Sequence, residues 1–358
     1  MSDPRLAARY RRFLIGYPRD YRREMADEIV AVFLDAAPPG RARPTAREAA
    51  NLLLHGLRCR LGRPAGRMVV VWAALTAILC GLFTAAAATR LAWETARPLP
   101  TAAQATPLFA DLLPGHDLTG KVEGSPAMFV VYGAPLGTEH IRDLLFGDGG
   151  EYGFGSTGVA LQGLSEADTA RTLATAQARL DAGGWQATSP RVTRSDADTT
   201  ETTLAARRGD DVLTFDLLSQ PRYRNMYFSV SLNRATPWAA YPAGVAGLLV
   251  GALAGWLAFG WASRRTEGRA PALRALTTTL YGVATALWTI PSGLGVVGMA
   301  EHHLTEQHFV WHPLWEWLGQ PALSLLFVAG VALTLLAAAV AALPRRPEAL
   351  TADDELAV

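Results

Sequence analysis

Lysine is all but missing from this chain: of 33 basic residues only Lys121 is a lysine, and the rest are arginine. The bias runs the whole length, so it reads as codon preference from a GC-rich genome rather than as chemistry. Cysteine is scarce as well. Cys59 and Cys80 stand alone in separate segments, which leaves no disulfide framework to hold any exported part together. Charge has the most informative gaps. Asp, Glu, Lys, Arg and His do not occur in Met68 to Thr89, Ala239 to Ala262, Ala275 to Ala300 or Ala322 to Leu343. Ionisable groups inside membrane helices mark ion paths and proton relays, so their absence argues against proton-coupled transport. No Ser/His/Asp set, paired carboxylates or phosphate loop stands out either, so no enzyme, no catalytic residue and no cofactor is expected.

What is present are the four runs themselves. Each matches or exceeds the roughly 20 apolar residues that an α-helix needs to cross a hydrocarbon core. With 50% hydrophobic and only 18% charged residues, the chain reads as an integral protein of the cell membrane with four transmembrane helices. The arginines orient it. Residues 1–67 hold fourteen arginines against seven acids, residues 263–274 carry four arginines and one acid, and Arg345 and Arg346 follow the last run. The loop of residues 301–321 has no Lys or Arg. Basic flanks stay inside, so both termini are expected in the cytoplasm and residues 90–238 outside.

The N-terminal 67 residues predict a three-helix module. Pro4 suits a first helical turn, a second helix follows Tyr17-Pro18 and is stopped by Pro38-Pro39-Gly40, and Thr45 with Glu48 spells a capping box for a third. Leu6, Tyr10, Phe13 and Leu14, then Tyr21, Met25, Ile29, Val32, Phe33 and Ala36, then Ala49, Leu53 and Leu57 are the expected core-facing residues. Helices two and three are too far apart for a helix-turn-helix, so nucleic acid is not an expected partner. A cytoplasmic protein is. Arg58, Arg60, Arg63 and Arg67 serve first as topological anchors and second as attractors of anionic lipid.

Outside, residues 97–107 read as a Pro-rich linker, and an α+β domain follows. The expectation is one helix on an antiparallel sheet of about four strands. Its parts are a strand over Met128–Tyr132, a helix capped by Ser165 and ended by Gly183-Gly184, strands near Thr202–Arg207 and Val212–Leu218 joined at Gly209-Asp210, and a last strand over Met226–Leu232. Gly153, Gly155 and Gly158 match the dinucleotide-binding pattern, but a strand rather than a helix is expected after them, so the run is read as a flexible loop.

Three features of the membrane part are candidate sites. Gly247, Gly251 and Gly255 recur at every fourth position of the second run, a stripe that lets another helix approach closely and could support an oligomer. Pro291 with nearby glycines predicts a kink in the third run. The outer loop gathers His302, His303, His308 and His312 among tryptophans. An interfacial aromatic belt is its first reading. A zinc or copper site drawing on His303, His308 and His312, and a pH-sensitive contact, stand as alternatives.

The run from Tyr17 to Glu28, the Leu-Asp-Ala-Ala-Pro-Pro-Gly that ends at Gly40, and the helix to Gly62 resemble the helical prefix of many uncharacterised actinobacterial membrane proteins. They are similar to permease-prefix and HAAS-type signalling domains. The resemblance covers about 60 residues, implies coupling to a cytoplasmic regulator or to transport machinery, and carries over no catalytic residue. Two functional expectations follow. One is a signalling or scaffold protein that couples an outer sensing domain to a cytoplasmic partner. The other, from topology alone, is the permease-like subunit of a MacB/FtsX-type ABC transporter working with a separate ATPase.

Overall fold

The computed structural model describes residues 4–62, 66–125, 128–131, 134–135, 137–138, 141–142, 150–194, 199–220, 225–305, 309, 312–318 and 324–344. Its chain divides into two compact units, Met1–Gly81 with Gly251–Ala286 and Ala329–Val358, and Leu82–Val250 with Leu287–Val328. Among the described residues four helices are long and apolar enough to cross a membrane. They are part of the following order.

In the first unit, α1 (Pro4–Phe13), a short 3-10 turn (Leu14–Gly16), α2 (Arg19–Asp35) and α3 (Ala46–Cys59) form the N-terminal module. Leu6, Tyr10, Leu14, Tyr17, Val30 and Leu52 are its buried core. The periodicity places the α2 face about a quarter turn off: Ile29 and Phe33 pack against this core as expected and Val30 is buried beside them, whereas Val32 and Tyr21 are exposed. On α3 the buried line runs through Leu52 and Gly56, next to the expected Leu53 and Leu57. The cause is the 3-10 turn, which crosses α3 so closely that a Cβ on Gly56 would stand 2.6 Å from the carbonyl carbon of Gly16. Thr45 and Glu48 do form a reciprocal capping box. Glu48 also accepts from the Tyr10 hydroxyl at 2.8 Å and from Arg41. The Arg41 guanidinium, more than the other donors, holds this carboxyl well below its usual range, at about 2.

The first membrane-length helix, α4 (Arg67–Ala92), runs into a 3-10 turn at Trp93–Thr95. Of the expected linker over residues 97–107, only residues 97–101 lack regular structure. A capping box of Thr101 and Gln104 starts α5 (Ala102–Leu112), which contains Pro107. Ala105, Phe109 and Leu112 from α5 are buried in the domain core, and that burial offsets the interior proline's cost of about 3 kcal/mol.

The sheet is wider than expected. Strands β1 (Val122–Ser125), β2 (Met128–Val131), β3 (Ala134–Pro135), β4 (Gly150–Gly153) and β5 (Ser156–Gln162) lead to α6 (Glu166–Ala182). Then come β6 (Gln186–Ala187), β7 (Arg191–Arg194), β8 (Thr200–Arg208), β9 (Asp211–Gln220) and β10 (Asn225–Arg234). Seven strands make one antiparallel sheet in the order β1-β5-β10-β9-β8-β6, with β7 also pairing β8, and β3-β2-β4 make a second, small sheet. The expected strand over Met128–Val131 therefore exists but belongs to the small sheet. β8 and β9 are joined by the two-residue turn Gly209-Asp210, with Gly209 at φ +62°. On β10, Phe228, Val230 and Leu232 are buried, and with Phe215, Leu180 and Trp185 they bring α6 and the sheet into one core. The helix is capped by Ser165 and ends at Gly183. The glycine run read as a flexible loop is instead β4 and β5, joined through Phe154 and Gly155, with Gly155 at φ +80°. A strand follows the motif, as the reading against a dinucleotide site required.

Three further membrane-length helices complete the order: α7 (Ala240–Thr266), α8 (Pro271–Thr305) and α10 (Ser324–Ala342), with the short α9 (Leu314–Trp317) between the last two. α8 takes in His302 and His303, so the loop that follows it begins later than position 301. It is helical through Pro291.

Candidate functional site

The polar and aromatic side chains of the second unit converge around the residues that lead into and out of the α+β domain. Trp93, just past α4, stacks on Phe154 with ring centroids 5.2 Å apart, and Trp315 of α9 meets Trp93 edge-on at 6.5 Å. Trp93, Phe154 and Trp315 are all buried. Across them lies Arg234, the last residue of β10. Its guanidinium donates to the Phe154 carbonyl at 2.6 Å and to the Arg97 carbonyl at 3.1 Å, and sits 5.7 Å from the Trp93 ring centre. Burial pulls its pKa down from the ordinary arginine value, while Glu94 opposes the shift.

The counter-charge approaches from the other side of the same residue. Glu316 of α9 is buried, yet its carboxylate accepts from the Phe154 backbone N–H at 3.1 Å and contacts His312 Nδ1 at 2.7 Å. One peptide residue is thus held by a cation on its carbonyl and an anion on its amide. Such charge-assisted bonds are stronger than neutral ones, and a buried charge is tolerated where it is compensated in this way. Arg90, Trp93, Glu94, Phe154, Arg234 and Trp315 enclose a cavity of about 50 Å³. That is room for water, not for an organic ligand.

The candidate histidines divide. His303 Nε2 lies 3.2 Å from the His312 carbonyl oxygen, and the His302 and His312 rings are 4.7 Å apart. His308 falls outside the described residues. Among the described residues no three His, Cys, Asp or Glu side chains are placed to hold a metal ion. Gly295 and Gly298 of α8 serve this region too, because Cβ atoms there would stand 2.5 Å from the Trp317 carbonyl oxygen and 3.2 Å from its ring.

Gly247, Gly251 and Gly255 are buried on α7. A Cβ at Gly247 would meet the Thr84 carbonyl oxygen of α4 at 2.6 Å, and within the first unit one at Gly255 would meet Cys80 and the Thr76 carbonyl at 2.9 Å. Gly247 and Gly255 are therefore covered by α4 of the same chain. A wider cleft of about 320 Å³ opens on the α+β domain, lined by His116, Asp117, Lys121, Gln162 and Leu164. It holds the sole lysine.

Sequence reasoning missed Arg234, Glu316, Trp93 and Phe154 as a group. The one legible signal was Glu316 standing alone between Trp315 and Trp317, an acid in an otherwise aromatic segment. No known protein family, curated protein or solved structure matches the chain.

Proposed function

We propose that this is a non-enzymatic signalling or scaffold protein of the cell membrane, in which an outer α+β domain is coupled through the membrane helices to a partner of the N-terminal module. The observation that carries the reading is the continuity of α7. Its first residue, Ala240, follows six positions after Arg234 of the Phe154 clamp. Further along, within the first unit, Trp256 donates its indole N–H to the Leu57 carbonyl at 3.0 Å, and the backbone of Arg60 abuts Gly260. A ligand or force that moves β10 acts on a helix bonded directly to the N-terminal module. Two-state coupling needs such a physical link. The arginine distribution supports an outer position for the domain and an inner one for both termini.

The test uses the full chain. Glu316→Ala in native membranes is expected to change the rate at which a thiol reagent reacts with Cys59, which packs against the core of the module. An unchanged rate in a variant whose α+β domain remains folded would remove the coupling. The MacB/FtsX-type permease reading rests on one span, a large domain and three further spans. It requires a stable complex with an ATP-binding subunit, and co-purification of ATPase activity would favour it.

A further inference from the structure

We infer that the N-terminal module is seated in the lipid interface itself, with Ile15 and Leu54 dipped into the acyl region of the leaflet on its own side. The argument is one of depth along α7. The charged end of that helix is marked by Arg264 and Arg265. Trp256, whose indole holds the Leu57 carbonyl, lies eight positions earlier, which at 1.5 Å per residue is about 12 Å below Arg264. Gly260, against which the Arg60 carbonyl packs at 2.7 Å from an ideal Cβ, is about 6 Å below it. The last turn of α3 therefore meets α7 at the level of its apolar residues, not of its arginines.

Around that contact the module is built for an apolar medium. Leu61 is fully buried with Val69 and Ala73, with Trp256 and Phe259 packed against them. Arg60 would be costly there if its donors were left open, but Nε bonds the Gly16 carbonyl at 2.6 Å and Nη2 the Ile15 and Tyr17 carbonyls at 2.9 and 3.2 Å. Those bonds fix Ile15 beside Arg60. Leu54 lies one turn before Leu57 on α3. Yet Ile15 and Leu54 are 65% and 66% exposed, so most of their hydrocarbon is uncovered. Interfacial helices bury their apolar face about 5–10 Å into the headgroup and acyl boundary, and the neighbours of these two residues, Arg60 and Leu57, meet α7 at about 6 and 12 Å from Arg264. Lipid acyl chains are the occupant that matches both the level and the chemistry.

The experiment reconstitutes the full chain in nanodiscs of phosphatidylcholine with a minority of phosphatidylglycerol. The native thiols are replaced and a bimane label is placed at Ile15→Cys, Leu54→Cys or Arg47→Cys in turn. A nitroxide near the carbonyl end of the lipid chain is expected to remove most of the fluorescence at positions 15 and 54 while aqueous iodide leaves it largely intact. Position 47, near the far end of α3, is expected to show the opposite order. Iodide quenching at 15 and 54 without quenching by the lipid nitroxide would overturn the inference, as would shielding from both quenchers, which would mean that protein covers these residues. Either result leaves the Cys59 coupling test untouched.

Discussion

Gly56→Ala is the most demanding test of the module's packing, because the added methyl has nowhere to go. Its Cβ would stand 2.6 Å from Gly16 C, 2.8 Å from Tyr17 N and 2.9 Å from Gly16 Cα. All three are backbone atoms, so no side chain can swing aside. The turn must retreat by several tenths of an ångström, which also stretches the bonds from Arg60 to the carbonyls of Ile15, Gly16 and Tyr17. Overpacking of this kind costs about 1–3 kcal/mol, and the weakened charged hydrogen bonds add to it. Alanine's better helix propensity returns about 1 kcal/mol, so the net loss is expected at about 2 kcal/mol, a factor of about 30 in local opening. Gly16→Ala has more room, with its closest approach 3.2 Å to the Leu53 carbonyl oxygen, and is expected to cost less than half as much. Cys59 packs against this core, so its reaction with a thiol reagent at fixed pH, in full-length protein with Cys80 replaced, reads the opening directly. Equal rates for Gly56→Ala and the parent chain, or a larger effect at Gly16, would refute the close crossing of α3 and the 3-10 turn.

Three other outcomes follow from the same contacts. Because Glu48 titrates near 2 in the folded module against about 4.5 for a free carboxyl, its stabilising contribution is complete above pH 4.5 and is lost as pH falls toward 2. Glu48→Gln should flatten the fall in Cys59 protection across that window, and an unchanged acid profile would show the Arg41 and Tyr10 contacts to be idle. An isolated domain of residues 97–236, which includes α5, is expected to fold. Phe228→Asp should unfold it by more than about 4 kcal/mol, whereas Ser229→Lys, opposite Asp216 in the register, should leave its thermal melt nearly unmoved. Gly247→Leu should lower the detergent stability of the full chain by several degrees more than Gly282→Leu, since a Cβ at the first position meets a carbonyl oxygen at 2.6 Å and one at the second meets nothing within 4 Å. Equal melting temperatures would count against α7 packing on α4.

The long apolar helices were legible because an uninterrupted hydrophobic run has few other readings at that length. Local signals that need only neighbouring residues also held, among them the Thr45 and Ser165 caps and the alternation along β10. What could not be read were features set by distant partners. α5 looked like a linker because Pro107 is a local signal against a helix, and only the core around Phe109 overrules it. β1 is a four-residue strand containing Gly124, so its pairing with β5 decides it rather than its own pattern. The Arg234, Phe154 and Glu316 clamp joins residues 80 and 162 positions apart and uses Phe154 through its backbone, where a side-chain pattern carries no trace.

The Arg234 bond to the Arg97 carbonyl ties the point where the chain enters the α+β domain to the point where it leaves. A segment whose two ends meet imposes no spacing on what lies between them, so from the standpoint of α4 and α7 the domain is a removable cassette. Evolution could lengthen, shrink or replace it without re-registering the membrane helices, provided the replacement also began and ended side by side. Grafting an unrelated domain with adjacent termini between Arg97 and Arg234 should leave a correctly threaded protein with a new head.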